Sequence, residues 1–366
     1  MRTVLCSPGS YIQQEGAIPQ LAGEYAHAGS TGAYILVDPT IDSLYHDSIV
    51  SSFDSGQVPY TLAVFGGECS DAEIQKHVAL LADTDAVIGI GGGKTLDCAK
   101  AVGYYGKRPA IIVPTAASSD APCSRLSVVY TDGGQFDHYL PLPENPRMVL
   151  MDTELISKAP VRFLTAGIGD AFATYYEAAA CVQSNAVTMT GGHATNAAFA
   201  LATLCHDSLL ADGVKAVSAV RLGLRTKAVE NIIETNTLLS GLGFESCGLA
   251  AAHSIHDGLT AIPETHSYLH GEKVAYGTLA QMIMEDRPLE ELAEVYHFFR
   301  AVGLPTNFAG IGIHDVTDEQ LLHVGELACS PQDTMANMPF EVTPADVANA
   351  LRAADALDKE FSVDSH

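Results

Sequence analysis

The chain has 366 residues, which exceeds the size at which one hydrophobic core usually stops growing, so its length predicts two domains. Apolar residues make up 47% and charged residues 17%, a balance that excludes an intrinsically disordered protein. The formal net charge of −25 would repel phosphate backbones and anionic lipids, which excludes nucleic acid as a partner and disfavours a substrate with several phosphates.

The N-terminal residues and the cysteines indicate the compartment. MRTVLCSPGS lacks a basic stretch followed by an apolar run, and no uninterrupted apolar segment approaches the roughly 18 residues of a membrane span. The eight cysteines are scattered without CxxC pairs in a chain too large to need disulfides. We therefore expect a cytoplasmic protein with no membrane contact and with reduced, mostly buried thiols.

The first part of the chain alternates short β-branched runs with helix-length segments. The runs are, in order, AYILVD, YTLAVFGG, DAVIGIGGG and PAIIVPT. Such alternation is typical of a parallel sheet with crossover helices. Two further runs, LSVVYTD and FDHYLPL, flank Gly133 and Gly134 and predict a hairpin, and RMVLMD at 147–152 predicts a last strand. We expect an α/β domain over residues 1–155.

Asp38 ends the first of these strands. An acidic residue at this position in a nucleotide-binding sheet commonly binds the adenosine ribose hydroxyls and repels a 2′-phosphate, which would favour NAD over NADP. Asp38-Pro39 is equally a good turn opening, in which the aspartate is an ordinary turn carboxylate. The residues alone leave both interpretations open.

A glycine-rich turn, GGGKTLD at 91–97, follows the third strand and opens a helix. Its backbone N–H groups, free of obstructing side chains, can point at a diphosphate at the helix N-terminus. The turn is not a Walker A loop, which requires glycine at the position of Ile88, and it is not the GxGxxG fingerprint. It predicts a dinucleotide phosphate cradle; a turn that merely packs helix on strand is the alternative.

After residue 155 the pattern changes to Ala- and Leu-rich helical periods separated by Gly and Pro. Examples are TAGIGDAFATYYEAAACVQ, NAAFALATLCHDSLLADG and TPADVANALRAADALDKEF. Apolar residues at helical spacing predict that the second domain, over residues 156–366, is all helical.

Three histidines and an aspartate in the helical part are candidate metal ligands. They are Asp170 in GIGDAFATYYE, His253 and His256 in GLAAAHSIHDGL, and His270 in HSYLHGEKVAYG. A catalytic zinc ion takes nitrogen and carboxylate ligands at about 2 Å and keeps one position open for substrate, and Asp170, His253 and His270 could supply that set. By spacing alone, His266 with His270, one helical turn apart, is an equally plausible chelate.

Five blocks together resemble one known family. They are PGSYIQQEGA, GGGKTLDCAKA, VPTAASSDAPCS, GIGDAFATYYEA and SGLGFESCGLAAAHSIHDGLTAIPETHSYLHGEKVAYGTL. They are similar to glycerol dehydrogenase, within the metal-dependent, iron-type alcohol dehydrogenase superfamily, and the resemblance runs to about residue 345. It implies the dehydroquinate synthase-like fold of that superfamily, an NAD-binding α/β domain followed by an all-α domain that binds metal and substrate.

The resemblance implies NAD as the cofactor and one zinc ion per subunit. The family's zinc ligands fall on Asp170, His253 and His270, which favours His253 over His266. Asp120 matches the aspartate that faces the glycerol hydroxyls, so Asp120 and His253 are the expected catalytic residues. The expected cofactor-binding residues are Asp38, Gly92, Gly93, Lys94, Asp97, Thr115, Ser118, Leu126, Val128 and Tyr130.

The implied activity is the reversible, NAD-dependent oxidation of glycerol, or of a related vicinal diol such as 1,2-propanediol, by a homo-oligomer that is an octamer by resemblance. Zinc that coordinates two neighbouring hydroxyls of the diol would lower the pKa of the reacting hydroxyl. Hydride would then pass from the substrate carbon to the nicotinamide. Iron or manganese could occupy the same ligands.

Three alternative functions remain open at this point. Another metal-dependent alcohol dehydrogenase of the superfamily would share all the motifs. A dehydroquinate synthase-like lyase binds a phosphorylated substrate and should show lysines and arginines around the metal. The segments that carry the candidate metal ligands contain only Lys273. A non-catalytic protein would close a four-ligand zinc site.

Overall fold

The computed structural model describes residues 2–363, which form two compact units. The sheet unit comprises residues 7–117 and 121–159. The helical unit comprises residues 2–6, 118–120 and 160–363. The helical unit thus includes three residues, 118–120, that interrupt the sheet unit in the sequence.

The sheet unit is built on a six-stranded, fully parallel sheet in the order β1-β8-β5-β4-β2-β3, with a separate antiparallel pair β6-β7. The strands are β1 (Tyr11–Gln14), β2 (Ala33–Val37), β3 (Tyr60–Val64), β4 (Ala86–Gly91), β5 (Ala110–Pro114), β6 (Leu126–Tyr130), β7 (Phe136–Pro141) and β8 (Met148–Asp152). The predicted parallel sheet and hairpin are confirmed. Strand β1, at one edge of the sheet, was not predicted.

The central strands form the core of this unit. Every residue of β2, β4 and β8 is buried, because helices cover both faces of a parallel sheet. The edge strands β1 and β3 are half-buried or exposed along their length. The helices of the unit are α1 (Leu21–Tyr25), α2 (Pro39–Gly56), α3 (Asp71–Val78), α4 (Gly93–Gly106) and α5 (Thr153–Lys158).

The helical unit contains nine α-helices within the described residues. They are α6 (Val161–Ser184), α7 (Asn196–Arg221), α8 (Lys227–Glu234), α9 (Ser240–Cys247), α10 (Ala251–Leu259), α11 (His270–Met284), α12 (Leu289–Val302), α13 (Asp318–Ala328) and α14 (Pro344–Val363). A π-helical turn, Thr235–Leu239, joins α8 to α9. The predicted helical character of the second half is confirmed.

One helix of the described chain, α7, is long and apolar enough to cross a membrane by length and composition, with a mean hydropathy of 1.2 over its best window. Only 28% of that window is buried. A single such helix is weak evidence for a membrane span, since helices of soluble proteins pass the same test. All eight cysteines lie in the described chain, none of them is in a disulfide, and six are buried.

Candidate active site

Three side chains from three helices of the helical unit converge on one point. Asp170 lies on α6, His253 on α10 and His270 at the start of α11, and one ligand atom of each lies within 4.8 Å of the other two. The Nε2 atoms of His253 and His270 lie 3.4 Å and 3.1 Å from Oδ1 of Asp170. The structure therefore brings together the three predicted metal ligands.

Close packing between α6 and α11 creates this convergence. A Cβ atom on Gly271, the residue after His270, would lie 1.8 Å from the carbonyl oxygen of Ala166. A Cβ on Gly169, the residue before Asp170, would lie 2.4 Å from the carbonyl oxygen of Gly271. Only glycine permits backbones to approach this closely, so two glycines set the separation of two of the predicted ligands.

The donor set fits a divalent cation. Oδ1 of Asp170 is buried and makes no hydrogen bond to any described residue, since the imidazole nitrogens face it at ion-pair distance without hydrogen-bond geometry. A buried carboxylate oxygen without a partner is costly, and a cation shared with two imidazole nitrogens would satisfy it. Asp170 is fully buried whereas the side chain of His270 is 43% exposed, so the cluster is accessible from solvent on the His270 side.

The charges of the cluster strongly affect its aspartates. Burial alone would raise the pKa of Asp170, but the facing His270 and His253 hold the pKa of its carboxyl well below its usual range. Burial, and then the negative charge of Asp170, raise the pKa of Asp120 well above its usual range. Two carboxyl groups therefore share one buried site with opposite shifts in pKa.

Asp120 is held beside the predicted metal ligands by contacts within the helical unit. Its backbone N–H donates to Oδ2 of Asp170 at 3.2 Å, and its Oδ2 accepts from the hydroxyl of Ser240 at 2.7 Å. The Ser240 oxygen in turn lies 2.8 Å from the hydroxyl of Thr174. Because the one proton of Ser240 points at Asp120, Thr174 must donate to Ser240.

Ser240 was not predicted as a site residue. It directly follows the π-helical turn Thr235–Leu239, a form of helix that often occurs at functional sites. Nothing in the sequence marks that turn. Asp120 itself lies in the SSDAP block, which the sequence singled out only through the resemblance.

His256 and His266 do not join the cluster. His256 lies beside it: its Nε2 is 3.0 Å from Nδ1 of His270, and its Nδ1 is 2.8 Å from Oδ1 of Asp257. Burial and the neighbouring His270 lower the pKa of His256 to about 3. His266 is exposed and its Nε2 lies 2.9 Å from the carbonyl oxygen of Thr260. The pairing of His266 with His270 fails because α11 begins only at His270.

The predicted cofactor residues Asp38, Gly92 and Thr115 lie at the carboxyl ends of three neighbouring strands in the sheet unit. Asp38 follows β2, Gly92 follows β4 and Thr115 follows β5. The N–H of Thr115 donates to the Gly91 carbonyl at 3.1 Å, and that of Asp38 donates to the Ile90 carbonyl at 2.9 Å. This edge of a parallel sheet is where such folds bind ligands.

The glycine turn leaves the start of α4 open. Gly92 is the N-cap residue and provides no side-chain cap, and a Cβ atom on Gly92 or Gly93 would meet no atom within 4 Å. The first N–H groups of a helix lack partners within it. The turn therefore offers backbone donors and free space, which is what a diphosphate requires.

Asp38 performs the structural role that the turn interpretation predicts. Its Oδ1 accepts from the N–H groups of Thr40 at 2.8 Å and Ile41 at 3.3 Å, so it caps α2. Its Cβ would lie 2.9 Å from a Cβ on Gly91, so the side chain lies against the glycine turn. Capping by Oδ1 does not occupy Oδ2, so both interpretations of Asp38 remain compatible.

Leu126, Val128 and Tyr130 share one face of β6. All three are half-buried, and Ser127 and Val129 between them are buried on the opposite face. The ammonium group of Lys94 lies 4.8 Å above the ring of Tyr130. Two of the predicted cofactor residues, Lys94 and Tyr130, are thus in contact.

The remaining predicted cofactor residues have different surroundings. Asp97 is buried on α4, where it accepts from the N–H of Val128 at 3.1 Å and pairs with Lys100 at 2.8 Å. These contacts tie α4 to β6 and give Asp97 a structural role; its predicted contact with a cofactor stays a prediction. Ser118 is a half-buried residue of the helical unit.

Comparisons with known proteins identify the family. The family model described as iron-containing alcohol dehydrogenase matches residues 8–153. The chain is 52% identical to a glycerol dehydrogenase of Thermotoga maritima, with 97% of each chain covered, and 46% identical to one of Citrobacter freundii, with 99% of each covered. The crystal structure of glycerol dehydrogenase from Schizosaccharomyces pombe superposes with a TM-score of 0.96 at 40% identity, covering 99% of this chain and 92% of that one. The chain therefore belongs to the glycerol dehydrogenase family of iron-containing alcohol dehydrogenases.

Proposed function

We propose that this protein oxidises glycerol to dihydroxyacetone, reversibly, with NAD as hydride acceptor and with zinc held by Asp170, His253 and His270. The observation that carries the proposal is the convergence of two imidazole nitrogens on the buried, otherwise unpartnered Oδ1 of Asp170 within the described chain. When bound, zinc supplies a Lewis acid that favours ionisation of a substrate hydroxyl, and NAD supplies the hydride acceptor.

Asp120 is the residue that we expect to orient the substrate. Its Oδ2 is fixed by Ser240, and its N–H is fixed by Asp170, so the whole residue is positioned against the metal ligands. A polyol can hydrogen-bond to this second carboxyl group beside Asp170, whereas a carboxyl group offers no positive charge to a phosphate. This arrangement supports a neutral diol over the phosphorylated substrate that a related lyase would bind.

The sheet unit supplies the proposed dinucleotide site. Gly92 and Gly93 would bind the diphosphate at the N-terminus of α4, where a Cβ would meet open space. Oδ2 of Asp38 would bind the ribose hydroxyls, and the negative charge would disfavour the 2′-phosphate of NADP. The half-buried face of β6 would pack against the cofactor through Leu126 and Val128.

The decisive assay is NADH formation from glycerol and NAD at alkaline pH. Activity should disappear after treatment with a chelator and return with zinc; iron and manganese, added separately, identify the metal that restores the highest rate. His270→Ala should lose both the metal and the activity while it keeps its fold. Full activity in a zinc-loaded His270→Ala variant would refute the assignment of the site. An enzyme that binds zinc and NAD but oxidises no small diol would favour the lyase alternative.

A homo-oligomeric, cytoplasmic enzyme is the remaining part of the proposal. Large apolar side chains are exposed on and after α7, among them Leu204 at 50% and Leu222 at 74%. Apolar side chains that are exposed at several points along one helix support an interface with a further copy of the chain. Light scattering after size-exclusion chromatography would give the mass of the assembly, and a mass of about 39 kDa would exclude self-association.

A further inference from the structure

Glu177 is a buried carboxylate that lies seven residues beyond Asp170 on α6 and has no solvent exposure. All its hydrogen bonds go to the start of α10, the helix that carries His253. Oε1 accepts from the backbone N–H of Ala250 at 2.8 Å and of His253 at 3.0 Å. Oε2 lies 2.6 Å from Nδ1 of the His253 ring.

The two backbone contacts cap α10 from outside. The N-cap residue of this helix is Ala250, which has no side-chain oxygen to satisfy the first N–H groups. Oε1 of Glu177, which lies on the neighbouring helix α6, accepts hydrogen bonds from these N–H groups instead. The carboxylate thus fixes where α10 begins, and with it the backbone of His253.

The ring contact selects the tautomer of His253. A neutral imidazole carries a proton on one nitrogen and a lone pair on the other, and a carboxylate only accepts hydrogen bonds. With Oε2 at 2.6 Å, the proton belongs on Nδ1, and Nε2 presents its lone pair. Nε2 is also the atom that faces Oδ1 of Asp170 at 3.4 Å.

We propose that Glu177 is a positioning residue for the metal site, holding His253 in the tautomer and orientation that present Nε2 to the cation. The inference rests on the proposed function in one respect: the cluster of Asp170, His253 and His270 binds a metal. Histidine ligands commonly donate their second N–H to a carboxylate, which orients the ring and increases its basicity. Glu177 provides such a carboxylate for His253, and it caps α10 with the same group.

The Glu177→Gln variant separates the two roles. Its amide oxygen can still accept from both backbone N–H groups, so the cap is kept. Its NH₂ group can only donate to Nδ1, which moves the ring proton to Nε2 and blocks coordination. We expect zinc affinity, measured by competition with a chromophoric chelator on metal-free protein, to fall about 10- to 100-fold, with little change in the melting temperature of the metal-free form.

The matched control is Glu272→Gln. Glu272 caps α11, the helix that begins with His270, by accepting from the N–H of Leu269 at 2.7 Å, and it pairs with Arg162. Like Glu177, Glu272 is a carboxylate that caps a helix carrying a predicted ligand. Its own hydrogen bonds, however, go to a backbone N–H and a guanidinium and not to a histidine ring. Zinc affinity of this variant should stay within about twofold of the wild type, against the 10-fold or greater loss in Glu177→Gln.

The outcomes are distinct. Wild-type zinc affinity in Glu177→Gln, or an equal loss in both variants, would overturn the role of Glu177. A wild-type protein that binds no zinc would instead refute the proposed function.

If Glu177→Gln does not fold, solid-state ¹⁵N NMR of histidine-labelled, zinc-loaded wild type decides the question. We expect the His253 signal of a protonated Nδ1 and a zinc-bound Nε2; coordination through Nδ1 would overturn the inference.

Discussion

Gly271→Ala tests whether helix packing sets the metal geometry. The new Cβ would lie 1.8 Å from the carbonyl oxygen of Ala166 and 2.9 Å from the N atom of Asp170, both backbone atoms of α6. No side-chain rotation can relieve such a contact. Since Cβ contacts below 3.0 Å essentially never occur, the backbones of α11 and α6 must shift at this point until the contact has lengthened from 1.8 to 3.0 Å. Metal sites tolerate changes in ligand distance of about 0.2 Å.

The expected effect on function is therefore larger than the effect on stability. A misplacement of about 1 Å at a reacting site can reduce kcat/KM about 100-fold, and zinc affinity should fall with it. Overpacking costs about 1–3 kcal/mol in the free energy of unfolding, and the better helix propensity of alanine recovers about 0.5–1 kcal/mol. The variant should thus fold with a modestly lower melting temperature and bind zinc poorly.

The assay combines zinc competition, NADH formation and thermal melting of the metal-free protein. Gly23→Ala in α1 is the control, because its Cβ would meet no atom within 4 Å and it should lose neither zinc affinity nor stability. Wild-type zinc affinity in Gly271→Ala would refute the argument that the close approach of α6 and α11 positions the ligands. Loss of stability without loss of zinc affinity would do the same.

Three further predictions concern other parts of the structure. Asp38→Asn keeps a good helix cap but removes the negative charge, so stability should not change. Since two like charges 4 Å apart repel by about 1–4 kcal/mol, the ratio of kcat/KM for NADP to that for NAD should rise about tenfold. An unchanged ratio would remove Asp38 from the cofactor site. Ser240→Ala deletes the donor to Asp120 and should lower kcat/KM for glycerol about tenfold or more while zinc affinity stays the same; lost zinc affinity would show that the serine supports the ligands instead. His77 is buried between Tyr34 and Glu73, and burial lowers its pKa below the unfolded value of about 6.5. Its contribution to stability is therefore fully present above pH 6.5 and is lost as the pH falls through the folded pKa. The free energy of unfolding should therefore fall less between pH 7.5 and 5.5 in His77→Gln than in the wild type, and identical slopes would contradict this.

The fold could be predicted where local pattern and burial agree. AYILV and AVIGIG are continuous apolar runs because both faces of β2 and β4 are covered, and periodicity identifies them at once. Strand β1 has the sequence YIQQ, without an apolar run, and it is a strand because Tyr11–Gln14 pairs with Val149–Asp152, far away in the sequence. Pairing between distant segments leaves little local trace.

The site could be predicted only in part, for a related reason. Spacing placed His266 and His270 on one helix face, but α11 begins at His270, so His266 lies on the preceding 3₁₀-helix Pro263–Ser267 instead. His253 enters the cluster through packing between α10 and α11, which no spacing rule describes. The resemblance to glycerol dehydrogenase, which the comparisons confirm, supplied that choice. The oxidoreductase class predicted with it is confirmed by the same relatives.

One face of α6 organises the whole candidate site. Asp170, Thr174 and Glu177 are four and three residues apart, so they lie on one side of the helix along two turns. Asp170 is the proposed buried metal ligand, Thr174 contacts Ser240 and through it Asp120, and Glu177 contacts His253. Because these three proposed functions share one mostly buried helix, a rotation of α6 would disturb metal binding, substrate binding and the orientation of His253 together. Substitutions at the three positions separate them: Thr174 should affect the substrate alone, whereas Asp170 and Glu177 should affect metal binding.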